Sequence, residues 1–233
     1  QKSGGILMRV GLLTSGGDCQ ALNPTMRGVV LTLKNLAKKV EIIGFANGYK
    51  GLIYNHYSIV SPSAFVNILN QGGTILGTSR EPFKHITEPD ENGVDKVKAM
   101  VENYKKLDLD CLVVLGGNGS IKTANLLSEK GLNVIALPKT IDNDIYGIDI
   151  TFGFDSAISV GTNVIDNIRT TAQSHNRTFI VELMGHKVGW LGLYSAIAGG
   201  ADIVLIPEKP FSINKIAEVI NNNKKGYTII VAS

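Results

Sequence analysis

The chain has 233 residues, of which 44% are hydrophobic and 18% charged, enough for one large or two modest domains with real cores. A net charge of +3, with lysines scattered in short pairs such as Lys38-Lys39, Lys105-Lys106 and Lys224-Lys225, draws no basic stripe and argues against nucleic acid as a partner. Cys19 and Cys111 lie far apart without ligand spacing, which excludes a disulfide framework or a zinc site and points to a reducing, cytoplasmic setting. No apolar run approaches the roughly 18–20 residues of a membrane helix, and the start lacks the pattern of an export signal.

From residue 8 onward, strand-length apolar runs alternate with amphipathic segments of helix length. Strands are predicted at 8–14, 41–46, 110–115, 133–137, 178–183, 202–206 and 227–231. Helices are predicted at 23–39, 63–69, 94–107, 121–130, 155–174, 191–198 and 213–223. This alternation predicts an α/β protein with mostly parallel sheets and helices on both faces. A boundary near Asp149 divides it into domains at 6–150 and 151–233, with Asp155 and Ser156 starting the long helix of the second. Gln-Lys-Ser-Gly-Gly ahead of Ile6 reads as a remnant or the start of a fragment, and a strand running up to Ser233 reads as an abrupt end.

Three glycine-rich turns fall at or near predicted strand ends. Thr14-Ser15-Gly16-Gly17-Asp18 follows the first strand and precedes a helix, so its backbone amides and the helix amino terminus suit a phosphate. It is neither a GxGxxG fingerprint nor a Walker loop, and a tight turn without a ligand is the alternative. Gln71-Gly72-Gly73 opens a second turn that ends in Arg80, whose forked guanidinium suits a polyphosphate. Gly116-Gly117-Asn118-Gly119-Ser120 is the third, again ahead of a helix.

The stretch 137–144, Leu-Pro-Lys-Thr-Ile-Asp-Asn-Asp, places Thr140, Asp142 and Asp144 just beyond a strand, where ligands of open parallel sheets bind. One carboxylate there can take a proton from a substrate hydroxyl while the other holds a metal or orients its neighbour. The alternative is an Asp/Asn turn in which Asp142 and Asn143 bond their own backbone.

Taken together, these motifs resemble the phosphofructokinases. The resemblance rests on Leu-Thr-Ser-Gly-Gly-Asp at 13–18, Gly-Gly-Thr-Ile-Leu-Gly-Thr-Ser-Arg at 72–80, Gly-Gly-Asn-Gly-Ser at 116–120 and Pro-Lys-Thr-Ile-Asp-Asn-Asp at 138–144. It continues through Ser-His-Asn-Arg at 174–177, Glu-Leu-Met-Gly at 182–185 and Ile-Ala-Gly-Gly-Ala-Asp at 197–202. It implies a three-layer α/β/α fold of two Rossmann-like domains, the second incomplete. The implied reaction is transfer of the ATP γ-phosphoryl group to the 1-hydroxyl of fructose 6-phosphate, giving fructose 1,6-bisphosphate. Asp142 matches the base, Thr140 the residue that bonds the transferring group, and Asp144 the second carboxylate, which with Asn118 supports Mg2+. Gly16, Tyr49, Arg80, Glu81, Gly117, Asn118, Gly119, Ser120 and Lys139 match the donor side. Arg177, Met184, Gly185 and His186 join Thr140 and Asp142 on the sugar-phosphate side. Because Arg177 matches an arginine that reaches a neighbouring subunit's sugar, the resemblance implies a homo-oligomer, dimer or tetramer.

Some positions depart from the family pattern. Asn118 stands where most members carry an aspartate, which predicts weaker metal binding there. Gly119 matches ATP users while Lys139 matches pyrophosphate users, so pyrophosphate is the alternative donor. His186 replaces an arginine and reads either as a softened sugar contact or as a packed residue. His175 reads as structural, and Trp190 as core rather than stacking platform. Arg27 is present but Leu31 fills the place of a second effector arginine, so allosteric control is not expected. The family continues for roughly another third of chain, so an end at Ser233 predicts an incomplete sugar site. A non-catalytic sugar-phosphate or nucleotide-binding fragment is therefore a competing reading. An NAD or lipid kinase is a more distant one, opposed by the motifs at 138–144 and 184–185.

Overall fold

The computed structural model describes residues 7–37 and 39–233; Gln1 to Ile6 and Lys38, with the readings placed on them, lie outside the described residues. The chain divides into two compact units, Gln1–Thr140 and Ile141–Ser233, ten residues ahead of the boundary expected from sequence.

The first unit is built on a five-stranded sheet. Its strands are β1 (Leu7–Thr14), β2 (Lys39–Phe45), β3 (Tyr57–Val60), β4 (Cys111–Gly116) and β5 (Val134–Pro138), in the order β3-β2-β1-β4-β5. Its helices are α1 (Leu22–Leu36), α2 (Tyr49–Ile53), α3 (Lys96–Lys106) and α4 (Asn118–Glu129). Alternation along β1 sorts the two faces. Val10 and Leu12 meet Leu22, Met26 and Val30 of α1, whereas Leu13 joins Tyr49, Met100 and Leu127 of α2, α3 and α4. Helices therefore cover both faces, and the parallel strands are apolar almost throughout. The strand order reverses at β1, which lies between β2 and β4, and in an open sheet that switch point is where ligands bind.

Two features of this unit depart from expectation. The predicted helix at 63–69 is only a 3-10 turn, Pro62–Phe65, capped by the Ser61 hydroxyl. Phe65 and Ile68 bury at a spacing of three, which suits the tighter turn. The antiparallel edge strand β3 and the short helix α2 have no counterpart in the predicted elements. β3 is largely exposed and shows no alternation, and α2 starts behind Gly48, whose φ of 68° is left-handed.

The second unit has a three-stranded parallel sheet, β6 (Thr178–Glu182), β7 (Ile203–Leu205) and β8 (Thr228–Ala232), in the order β6-β8-β7. Helices α5 (Phe154–His175), α6 (Trp190–Gly199) and α7 (Ile213–Asn222) accompany it. The core joins Ile165 and Ala172 of α5, Ala196 of α6, and Val181, Ile229 and Val231 of the sheet. α5 and α6 approach closely because Gly161 and Gly199 leave no side chain at the contact; a Cβ on Gly199 would lie 2.7 Å from Ile165. α5 starts at Phe154 behind Gly153, whose φ is 114°, so Asp155 sits inside the first turn and does not cap it.

Candidate active site

In the first unit, the carboxyl ends of β1, β4 and β5 bring the glycine turns to one edge. The Ser15 amide donates to the Leu115 carbonyl at 2.8 Å and the Lys139 amide to Gly116 at 3.0 Å, so each loop leaves its strand still tied to the neighbouring one. The 71–80 turn is latched onto the end of β1. Thr14 Oγ1 donates to the Gly77 carbonyl at 2.8 Å, Thr78 Oγ1 to the Gly16 carbonyl at 2.6 Å, and the Gly16 amide to the Ser79 carbonyl at 3.0 Å. From α1, buried Asn23 holds the same turn: its amide donates to the Gln71 carbonyl at 3.1 Å and its oxygen accepts from the Ile75 amide at 2.9 Å.

These latches order a glycine-rich edge with two basic side chains on it. Gly16 has φ 89°, which glycine adopts without strain, and Lys139 Nζ lies beside it, donating to the Gly17 carbonyl. Arg80 is exposed, with its guanidinium next to Gly17. Lys139 is buried, so a cation stands inside the loop and not on its rim. α4 begins at Asn118 behind Gly117, which offers no side-chain cap, leaving the first-turn amides of Asn118, Gly119 and Ser120 to a ligand. A Cβ placed on Gly119 would find no atom within 4 Å, so the space in front of that turn is open.

Two residues of this group act from behind. Tyr49 is fully buried and its hydroxyl donates to the Ser120 carbonyl at 2.8 Å. Burial pushes its phenol well above the usual range, so it stays a donor. Ser120 Oγ in turn donates to Ser15 Oγ at 2.9 Å, joining the β1 and β4 loops. At Cys19, close to this surface, burial pushes the thiol up, and the Ala21 amide and the Lys139 charge only partly offset that. Glu81 is half-buried beside Arg80.

The motif at 138–144 is divided between the units after Thr140. Within the second unit, Asp142 and Asp144 are both half-buried and flank Asn143, which has a left-handed φ of 55°. Asn143 spends its amide on the backbone, donating to the Asp149 carbonyl at 3.1 Å and accepting from the Thr151 amide at 2.9 Å. A cleft of about 440 Å³ opens beside it, lined by Asp144, Tyr146, Asp149, Trp190 and Tyr194 among others. Trp190 is 43% exposed and forms a T-shaped pair with Tyr194, which corrects the expectation of a core tryptophan. It starts α6 behind Gly189 and so stands at the rim of the unit.

After β6 the chain turns through Met184, Gly185 and His186. Met184 is 71% exposed, while Gly185 is buried with no room for a Cβ, which would lie 2.3 Å from the Val188 carbonyl. His186 is exposed in a left-handed conformation, φ 58°, which removes the packed reading of its ring. Arg177 is exposed just ahead of β6, and His175 is exposed in the last turn of α5.

Sequence reasoning missed Ser15, Asn23 and Thr78 as organisers of these loops; it offered Asn143 as a residue bonding its own turn, whereas its carboxamide reaches residues 149 and 151. The signal of the first three is faint, since a polar residue near a glycine turn is common whether or not it clamps one.

Comparison with known proteins agrees with this geometry. Residues 9–233 match the phosphofructokinase family. The chain is 52% identical to an ATP-dependent 6-phosphofructokinase of Spirochaeta thermophila, over 96% of this chain and 62% of that protein. It is 41% identical to a pyrophosphate–fructose 6-phosphate 1-phosphotransferase of Amycolatopsis methanolica, over 96% of this chain and 64% of that protein. The chain thus spans less than two thirds of the length of either relative. Among solved structures, phosphofructokinase from Saccharomyces cerevisiae superposes with a TM-score of 0.84 at 30% identity, covering 97% of this chain and 33% of that one. With its glycine-rich loops on one sheet edge and its family match running through both units, the chain belongs to the phosphofructokinase family.

Proposed function

We propose that the protein is a 6-phosphofructokinase that moves the γ-phosphoryl group of ATP to the 1-hydroxyl of fructose 6-phosphate, giving fructose 1,6-bisphosphate. The observation that carries this reading is the first unit's sheet edge. Buried Lys139, adjacent Arg80 and the uncapped first turn of α4 make a positively polarised surface, with open space in front of Gly119. Such a surface neutralises a polyphosphate and asks for no covalent partner, which is the demand of phosphoryl transfer.

Asp142 acts as the general base, taking the proton from the sugar hydroxyl, and Thr140 bonds the transferring group. Among the described residues no three His, Cys, Asp or Glu side chains group to hold a metal. A magnesium ion carried on substrate phosphates needs only one or two protein oxygens, and Asn118 and Asp144 are the residues this reading assigns to it. When bound, the ion neutralises phosphate charge. Gly16, Gly117, Gly119 and Ser120 cradle the donor through backbone amides, Tyr49 contributes by fixing the Ser120 carbonyl, and Glu81 lies on the same side. On the sugar side, Met184, Gly185 and His186 line the ring, and Arg177 serves the 6-phosphate of a neighbouring subunit in a homo-oligomer, dimer or tetramer.

Pyrophosphate is the second reading of the donor, favoured by one observation: Lys139 is buried within the phosphate loop, where a compact point charge suits a small anion. Both readings are tested by fructose 1,6-bisphosphate formation from fructose 6-phosphate and magnesium, with ATP and pyrophosphate compared side by side and fructose 6-phosphate binding measured on the same protein. Faster turnover with ATP is expected. Turnover with pyrophosphate alone transfers the assignment to that donor, saturable sugar binding without turnover assigns a binding protein, and failure to bind fructose 6-phosphate overturns the proposal.

A further inference from the structure

We infer that Asn143 is a positioning residue: its side chain closes the loop from 143 to 151 onto the start of α5 and thereby sets the two carboxylates that flank it. The inference rests on the reading of Asp142 as general base given above.

Three observations converge on it. The first is backbone. Asn143 lies in the left-handed region at φ 55°, where ordinary side chains are strained and asparagine is tolerated. A left-handed residue between two right-handed or extended neighbours turns the chain sharply, so the directions of Asp142 and Asp144 are both set by its conformation.

The second is the carboxamide. Its nitrogen donates to the Asp149 carbonyl and its oxygen accepts from the Thr151 amide, at 3.1 and 2.9 Å. Both ends of one planar group are used on backbone atoms two residues apart, so the loop is held in distance and in orientation. An aspartate cannot do this, because it lacks the donor and would set a third carboxylate between two others.

The third is exposure. Tyr146, Ile148 and Ile150 are exposed, and the Ile148 amide donates to the Ile145 carbonyl in a turn within the loop. Thr151, by contrast, is buried, and its carbonyl accepts from the amide of Phe154, the buried first residue of α5. Asn143 therefore connects the exposed, carboxylate-bearing turn to the rigid end of a 22-residue helix. General-base catalysis is sensitive to placement, and a misplacement of about 1 Å costs on the order of a hundredfold in rate.

Two variants separate backbone from clamp. Asn143→Gly keeps the left-handed conformation and loses both hydrogen bonds; Asn143→Ala loses both bonds and strains the backbone as well. In Asn143→Gly, kcat is expected to fall about tenfold to a hundredfold, KM for either substrate to move less than about threefold, and the midpoint of thermal unfolding to stay within a few degrees. Amide exchange is expected to quicken over residues 144–151 and to stay unchanged in β6 and β8. Asn143→Ala should lower kcat at least as far and also lower the unfolding midpoint.

Exchange over 144–151 that matches the wild type in Asn143→Gly overturns the clamp. An unchanged kcat, or a loss that appears only where the protein unfolds, overturns the positioning role. If the wild type forms no fructose 1,6-bisphosphate with either donor, the functional reading fails, and exchange alone then decides whether the clamp holds the loop.

Discussion

The hydroxyl of Tyr49 donates to the carbonyl of Ser120 at 2.8 Å across 71 residues of sequence, and the contact is buried. A side chain on the short helix α2 thus fixes the first turn of α4. Replacing Tyr49 with Phe keeps the ring and removes the donor, while the Ser120 carbonyl stays within the hydrogen-bonded helix α4. Unfolding free energy should fall by about 0.5–1.5 kcal/mol, the net worth of one hydrogen bond, as read by urea denaturation. KM for the phosphoryl donor should rise and that for the sugar should not.

Asp142→Asn tests the assignment of the base. The amide keeps the size of the side chain and cannot take a proton, so kcat should drop by roughly 2 to 4 powers of ten. Far-ultraviolet circular dichroism and the unfolding midpoint should match the wild type.

The glycines of the third turn should respond in opposite directions. A Cβ on Gly116 would lie 2.3 Å from the Ser120 Cβ, so Gly116→Ala should destabilise by about 1–3 kcal/mol through overpacking. Gly119 meets nothing within 4 Å and lies in the first turn of α4, so Gly119→Ala should raise stability by up to about 1 kcal/mol. The same methyl projects where a nucleotide phosphate would sit, and kcat/KM for ATP should fall. A stable variant with unimpaired ATP use would remove Gly119 from the donor site.

Lys139→Met keeps most of the side-chain volume and removes the ammonium from the Gly17 carbonyl. Turnover supported by pyrophosphate should fall at least about tenfold more than turnover supported by ATP, a difference of about 1.4 kcal/mol. Equal losses with both donors would show that Lys139 shapes the loop without choosing the donor.

Stability of the second unit should depend on pH through Asp202 and Lys225, paired at 2.7 Å. Burial pushes the Asp202 carboxyl up, but the Lys225 hydrogen bond and the Ile229 amide outweigh it and hold it below the ordinary value. Lys225 is held above its ordinary value, chiefly by the hydrogen bond to Asp202. A depressed carboxyl stabilises the fold above its unfolded pKa, about 3.9, and that contribution disappears as pH falls through the folded value. The raised lysine stabilises below its unfolded pKa, about 10.4, and its contribution disappears as pH rises through the folded value. The pair therefore helps across the neutral range. Unfolding midpoints of Asp202→Asn, followed from pH 6 down to about 3, should fall less steeply than those of the wild type.

How much of this was open to sequence reasoning depends on burial. β1 and β4 are legible because Val10 to Leu13 and Leu112 to Leu115 are buried on both faces, which demands an unbroken apolar run. β3 is not legible, because Ile59 and Tyr57 are exposed on an edge where apolarity carries no packing signal. The glycine turns are legible as types, since close backbone approach leaves few residues that fit. Their latches are not, because Asn23 reaches a loop about fifty residues away and nothing local marks the partner. Trp190 misleads for a related reason: a large aromatic at a helix start reads as core until the rim of the unit is visible.

That exposed ring carries a practical consequence. Trp190 is the sole tryptophan of the sequence, and it lines the cleft that holds Asp144. Light absorbed at the red edge of the protein spectrum is therefore emitted from one address, beside one of the carboxylates of the 138–144 motif. Any ligand that fills the cleft, or any swing of the loop bearing Tyr146, alters the solvent around that single indole. The protein thus carries its own unlabelled gauge of events at the second unit, and stopped-flow emission can time them without an added dye.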